Sequence, residues 1–130
     1  MKIEVALGEV VDKITILEIK LERIKDPRKL RHIRLEYGLL KDALDGAGIE
    51  VDSGDFNELK AVNTRLWEIE DRIRLKERNR EFDAEFKELA RSVYIENDKR
   101  FEIKSRISRV AGSQVIEEKE YTDYGDPDRA

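Results

Sequence analysis

The sequence contains no cysteine. That excludes a disulfide framework and a thiolate zinc site. It also fits a reducing compartment, so the expected location is the cytoplasm. Only two prolines occur, Pro27 and Pro127, and neither falls inside a helical pattern, so almost nothing in the chain breaks helices. His32 is the single histidine. It has i, i+4 spacing to Glu36, but one histidine supports neither a Ser/His/Asp set nor the Glu-x-x-His motifs of a di-iron bundle, and it reads as a surface residue. No glycine-rich phosphate loop occurs. No apolar run approaches the length of a membrane span, and the opening MKIEVALGE is not a signal peptide.

What is present is charge and aliphatic carbon in nearly equal measure. Charged residues make up 43% of the 130-residue chain and hydrophobic ones 39%. Leu, Ile, Val and Phe together number 37, well above the level at which disorder is expected. A chain of this length suits one domain and buries roughly two-thirds of its unfolded surface. The net charge of -4 is spread over both signs without a basic face, which argues against nucleic acid as a direct partner.

The apolar residues recur with helical rhythm. Leu7, Val10, Ile14, Leu17, Leu21 and Ile24 step 3, 4, 3, 4, 3, a heptad seam, and Ile16 and Ile19 widen it enough for two neighbours. Asp26-Pro27 marks a boundary, with Asp as N-cap and Pro at the first helical position. A second helix follows to about Leu44, with Leu30, Ile33, Tyr37, Leu40 and Leu44 in the same rhythm. The short turn makes these two an antiparallel hairpin. Residues 45–55 (DGAGIEVDSGD) form the clearest loop. Gly46 is expected to end the helix in the left-handed conformation, and Ser53 or Asp55 to cap a third helix starting near Phe56. Residues 77–83 read as a turn before a long fourth helix from about Ala84 to Ala111, with one continuous helix as the alternative. Residues 3–6 (IEVA) and 114–121 (QVIEEKEY) are short enough and apolar enough to pair as two strands, and residues 122–130 read as a disordered tail. Six acid-before-base pairs at i, i+4, among them Glu9–Lys13, Glu70–Arg74 and Glu96–Arg100, support the helices as exposed ion pairs.

The rhythm fails in the fourth helix between Val93 and Ile103, where spacing aims Glu96 and Arg100 at the core with Asn97 beside them. A polar residue at a core position costs stability unless it is paired. Either this segment lies beyond its partner helices, or it forms a buried polar cluster. Hairpin geometry puts Asn63 level with Asn97 and Thr15 level with Tyr37, so a polar layer across the bundle is expected. Such a layer fixes register, as buried Asn does in coiled coils, and its sharper reading is a ligand site between helices. Glu9–Asp12, Glu68–Asp71 and Glu85–Glu88 have spacing suited to a magnesium site. With 30 acidic residues, about seven such pairs arise by chance, so solvated faces explain them better and no metal is expected. Arg65, Arg72, Lys13 and Arg100 are of the right type to clamp a dianion, although residue type is the only support for that.

The segment LGEVVDKITILEIKLERI, residues 7–24, resembles the opening signature of an uncharacterised family of small bacterial helical proteins, a domain of unknown function. LARSVYIENDKRFEIKSRI, residues 89–107, and GSQVIEEKEY, residues 112–121, resemble its second half. The resemblance covers most of the chain and implies a stand-alone bacterial domain, without supplying a reaction. It directs attention to Gly8, Glu9, Asp12 and Lys13, and to Asn97, Asp98 and Arg100.

The expectation is therefore an all-α protein. Antiparallel hairpins form a four-helix bundle or coiled-coil-like assembly over residues 1–121, with a two-stranded pairing of the chain ends as an addition. The leading functional expectation is a non-catalytic interaction or accessory protein that forms a homo-oligomer, a dimer above all, with another protein as a further partner. It uses no cofactor, nucleic acid or membrane. The alternative is a small-molecule-binding or metal-assisted enzyme, related to nucleotides or sugar nucleotides, with a site between helices. Glu9, Asp12, Lys13, Asn63, Asn97, Asp98 and Arg100 are the ligand-binding candidates.

Overall fold

The structure, a computed structural model, describes residues 1–128. Four helices account for most of it: α1 (Leu7–Arg23), α2 (Pro27–Gly46), α3 (Ser53–Arg78) and α4 (Ala84–Ala111). The helices start and stop for local reasons. Asp26 accepts from the Arg28 N–H at 2.9 Å with Pro27 at the first helical position, and Asp83 accepts from the Phe86 N–H at 2.9 Å. These caps satisfy donors that a helix start leaves free. α4 ends at Gly112, whose φ of 70° is the left-handed conformation that glycine adopts without strain.

Helix α1 is the hub. It packs against α2, α3 and α4, and α3 packs along α4, while α2 touches α1 alone. The widened stripe of α1 answers this demand, burying Val11, Ile14, Leu17 and Ile19. The core gathers Leu7 and Val11 of α1, Leu59 and Val62 of α3, and Ile103 and Ile107 of α4. Burying each such side chain stabilises the fold by roughly 1.5–3 kcal/mol. In α3 and α4, every buried residue lies at Leu59 to Asn63 or at Glu96 to Ser108, and from residue 64 to residue 95 none is buried. The two helices thus leave the core as a projecting hairpin.

Several local expectations need correction. Among the described residues there are no strands. The chain ends do meet, but through side chains: Ser113 Oγ accepts from the Leu7 N–H, and the segment after Gly112 follows α4 through Glu117–Lys104 instead of pairing with residues 3–6. α3 begins at Ser53, and its cap is Asp52, which accepts from the Asp55 N–H at 3.0 Å. Neither Ser53 nor Asp55 is the cap. Gly46 is still helical, and the left-handed residue is Gly48, φ 66°. The expected turn between α3 and α4 is present, over residues 79–83 where 77–83 was expected. The expected tail ends in residues 129–130, which lie outside the described residues. Of its described part, Tyr124 packs on Tyr94 with ring centroids 4.9 Å apart.

Candidate functional site: the polar centre of the bundle

Asp12 lies one turn and a half into α1, on the face that meets both α3 and α4. It is only 3% exposed. A carboxylate in that position must be paired, and three donors serve it. Asn63 Nδ2 donates to Oδ1 at 2.9 Å, Arg100 Nε donates to the same oxygen at 2.9 Å, and Arg100 Nη2 reaches Oδ2. This two-point guanidinium–carboxylate contact fixes orientation as well as charge. Asn63 uses its second N–H on Thr15 Oγ1 at 2.9 Å, and the Thr15 hydroxyl donates to the Asp12 carbonyl at 2.7 Å. Hydrogen bonding to Asp12 holds Arg100 above the usual arginine value, outweighing burial. Among the described residues, no buried side-chain polar atom is left without a partner.

The break in the α4 seam is thus a buried polar cluster. Glu96 is buried beside it and takes Arg65 Nε at 3.0 Å and Lys99 Nζ at 3.2 Å. The expected four-residue layer is only half formed. Thr15 and Asn63 meet, but Tyr37 hydrogen-bonds Glu18 at 3.3 Å, and Asn97 faces away from them into a groove. Helix spacing set these residues level without fixing which side of each helix turned inward.

A second cluster seals the start of α1. The N-cap residue is Ala6, which has no side-chain acceptor. Serines from the far end of the chain supply it: Gly8 N–H donates to Ser108 Oγ at 2.8 Å and Leu7 N–H to Ser113 Oγ at 3.1 Å. The helices touch so closely here that a Cβ on Gly8 would stand 2.3 Å from the Lys104 carbonyl oxygen. Lys104 Nζ contacts Glu9 at 2.6 Å and Glu117 at 3.1 Å. Burial pushes its pKa down, but the bonds to Glu9 and Glu117 and the field of Asp12 prevail and raise it. A small cavity of about 220 Å³ opens beside Glu9, Lys104 and Ser108.

The remaining candidates lie elsewhere. Lys13 is exposed and pairs with Glu36 of α2 at 3.2 Å. Asn97 and Asp98 line a broad groove between α4 and the C-terminal segment. Among the described residues, no three His, Asp or Glu side chains converge as a metal-binding group. The four candidate clamp residues are apart, each on its own carboxylate: Lys13 on Glu36, Arg65 on Glu96, Arg72 on Glu85 and Arg100 on Asp12. Lys104, Ser108 and Ser113 were not legible as site residues, because their partners Glu9, Gly8 and Leu7 stand about a hundred positions away, and Glu117 joins them only through Lys104. One signal was available: a helix opening on Ala6 lacks its own cap and needs an outside acceptor.

A family model matches residues 1–127, and the chain belongs to that family, a family of unknown function (DUF6165). The resemblance read from residues 7–24, 89–107 and 112–121 therefore holds over nearly the whole chain. No curated protein and no solved structure matches it.

Proposed function

We propose that this member of DUF6165 is a helical interaction protein that works by self-association, with no chemistry of its own at the polar centre. The observation that carries the reading is surface area. The chain exposes 9563 Å², whereas a compact monomer of 15.3 kDa is expected to expose about 7,100 Å². The excess, roughly 2,400 Å², is more than the ~800 Å² per partner that a standard interface covers. Part belongs to the extended segment after Gly112. The exposed residues before α1, the projecting α3–α4 hairpin and α2, which packs on one helix only, also contribute. The polar centre fits a structural role, since Asp12, Asn63 and Arg100 saturate one another.

Sedimentation equilibrium at micromolar concentration tests this, with a dimer mass as the expected result. A stable monomer throughout would overturn it. No helix among the described residues is long and apolar enough to cross a membrane; the lack of cysteine, which fits a reducing compartment, supports the cytoplasm as the proposed location.

One observation favours a second reading, a small-molecule site. The groove of about 1,240 Å³ beside α4 brings Asn97 and Asp98 together with Tyr94, Phe101 and Tyr124. A thermal-shift screen with magnesium, manganese, nucleotides and sugar nucleotides separates the readings. Stabilisation lost in Asp98→Ala supports the site, and no shift with any of them removes it.

A further inference from the structure

Three of the four helices place charge as their own dipoles favour. α1, α3 and α4 each carry an acidic residue in the first turn and at least one basic residue in the last. α2 has neither. Its first eight residues hold Arg28, Lys29, Arg31 and Arg34 and no acid, while its last five hold Asp42 and Asp45 and no base. Basic residues near a helix N-terminus and acids near its C-terminus oppose the macrodipole. Helix α1 gives little compensation, since its Glu18 and Glu22 pair with Lys60 of α3. It runs antiparallel to α2, so its basic end (Lys20, Arg23) adjoins the basic end of α2. Among the described residues, the only salt bridge made by α2 is Lys13–Glu36.

The outer face of α2, opposite its seam to α1, is ordered along the helix. At helical spacing it shows Arg28 and Arg31, then Leu35, Gly38 and Leu39, then Asp42. Leu35 and Leu39 are 67% and 63% exposed. Gly38 lowers helix stability relative to alanine, and among the described residues nothing lies within 4 Å of where its Cβ would be. No contact among them requires a glycine there.

We propose that two copies of the chain pair through this face, α2 against α2, antiparallel about a twofold axis near Gly38. This rests on the self-association reading above and gives it a place. A twofold contact is self-complementary by symmetry. Antiparallel pairing lays the basic end of each α2 on the acidic end of the other, and each end then also meets a helix terminus of favourable sign. Leu35 and Leu39 of each copy cover those of the other, and Gly38 lets the two backbones approach. A parallel arrangement sets Arg28 and Arg31 against themselves and is disfavoured.

The test uses two charge variants of the full chain, Arg28→Glu/Arg31→Glu and Asp42→Arg/Asp45→Arg. All four residues lie on the helix surface, and circular dichroism checks that helicity is kept. Sedimentation equilibrium is expected to show each variant alone associating at least about tenfold more weakly than the parent. An equimolar mixture of the two is expected to recover a dimer, and raised salt to weaken the parent dimer. A parent dimer left unchanged by both variants and by Leu35→Glu/Leu39→Glu would overturn the α2 placement while leaving self-association intact. A monomeric parent would overturn both.

Discussion

Helices α1 and α2 are joined by three residues and share the same 3-4 apolar rhythm, yet α1 buries eight residues and α2 only Ile33. The difference is not hydrophobic rhythm but the number of neighbours. α1 is wedged against three helices and must satisfy polar groups inside the core, so it carries Asp12 and Thr15 with their partners. Among the helices α2 meets α1 alone, so its far face keeps apolar and charged residues with no partner among the described residues. A seam predicts that a helix packs; the width of the stripe beside it predicts how many helices it packs against.

The sharpest way to break this comparison is to remove the inner network. Asp12→Ala strands Arg100 and half of Asn63's donors in a buried site, and is expected to destabilise the fold by about 3 kcal/mol in urea denaturation. Next is Gly8→Ala. The added methyl meets the Lys104 backbone, so a loss of about 2 kcal/mol is expected by the same measurement. Ser108→Ala, which deprives the Gly8 N–H of its acceptor, is expected to cost about 1 kcal/mol.

Lys104 supplies a smaller, pH-dependent effect. Its pKa is raised in the fold above the ordinary 10.5, so its contribution is complete below that value and is lost as pH climbs through the raised one. Stability followed by chemical denaturation is expected to fall above pH 10.5, and Lys104→Met to flatten that fall. At the other extreme, Leu35→Glu on the outer face of α2 is expected to change the stability of the dilute monomer by no more than about 0.5 kcal/mol. A large loss there would show that α2 is as embedded as α1.

Much of the helical layout was legible because its causes are local: Asp26-Pro27, Gly112 and the seams fix boundaries within a few residues. The break at Glu96–Arg100 was legible too, as a place where rhythm fails. Its partners were not. Six ion pairs were expected within helices, but of these the structure contains only Glu70–Arg74, at 3.4 Å. Lys13, Arg72, Arg100 and Arg106 instead reach carboxylates on other helices. At Asp12 and Asp55 the interhelix carboxylate is buried or partly buried, and so less screened than one a turn away in water, and one sequence does not show which helices become neighbours. The same blindness explains the missed serine caps and the strand pairing that does not form.

Amide hydrogen exchange measured across a range of protein concentrations tests the contrast between the two helices most directly. If α2 awaits a second copy, its amides gain protection as concentration rises, while those of the already enclosed α1 change only in step with global stability. Protection of α2 that is independent of concentration would contradict the account.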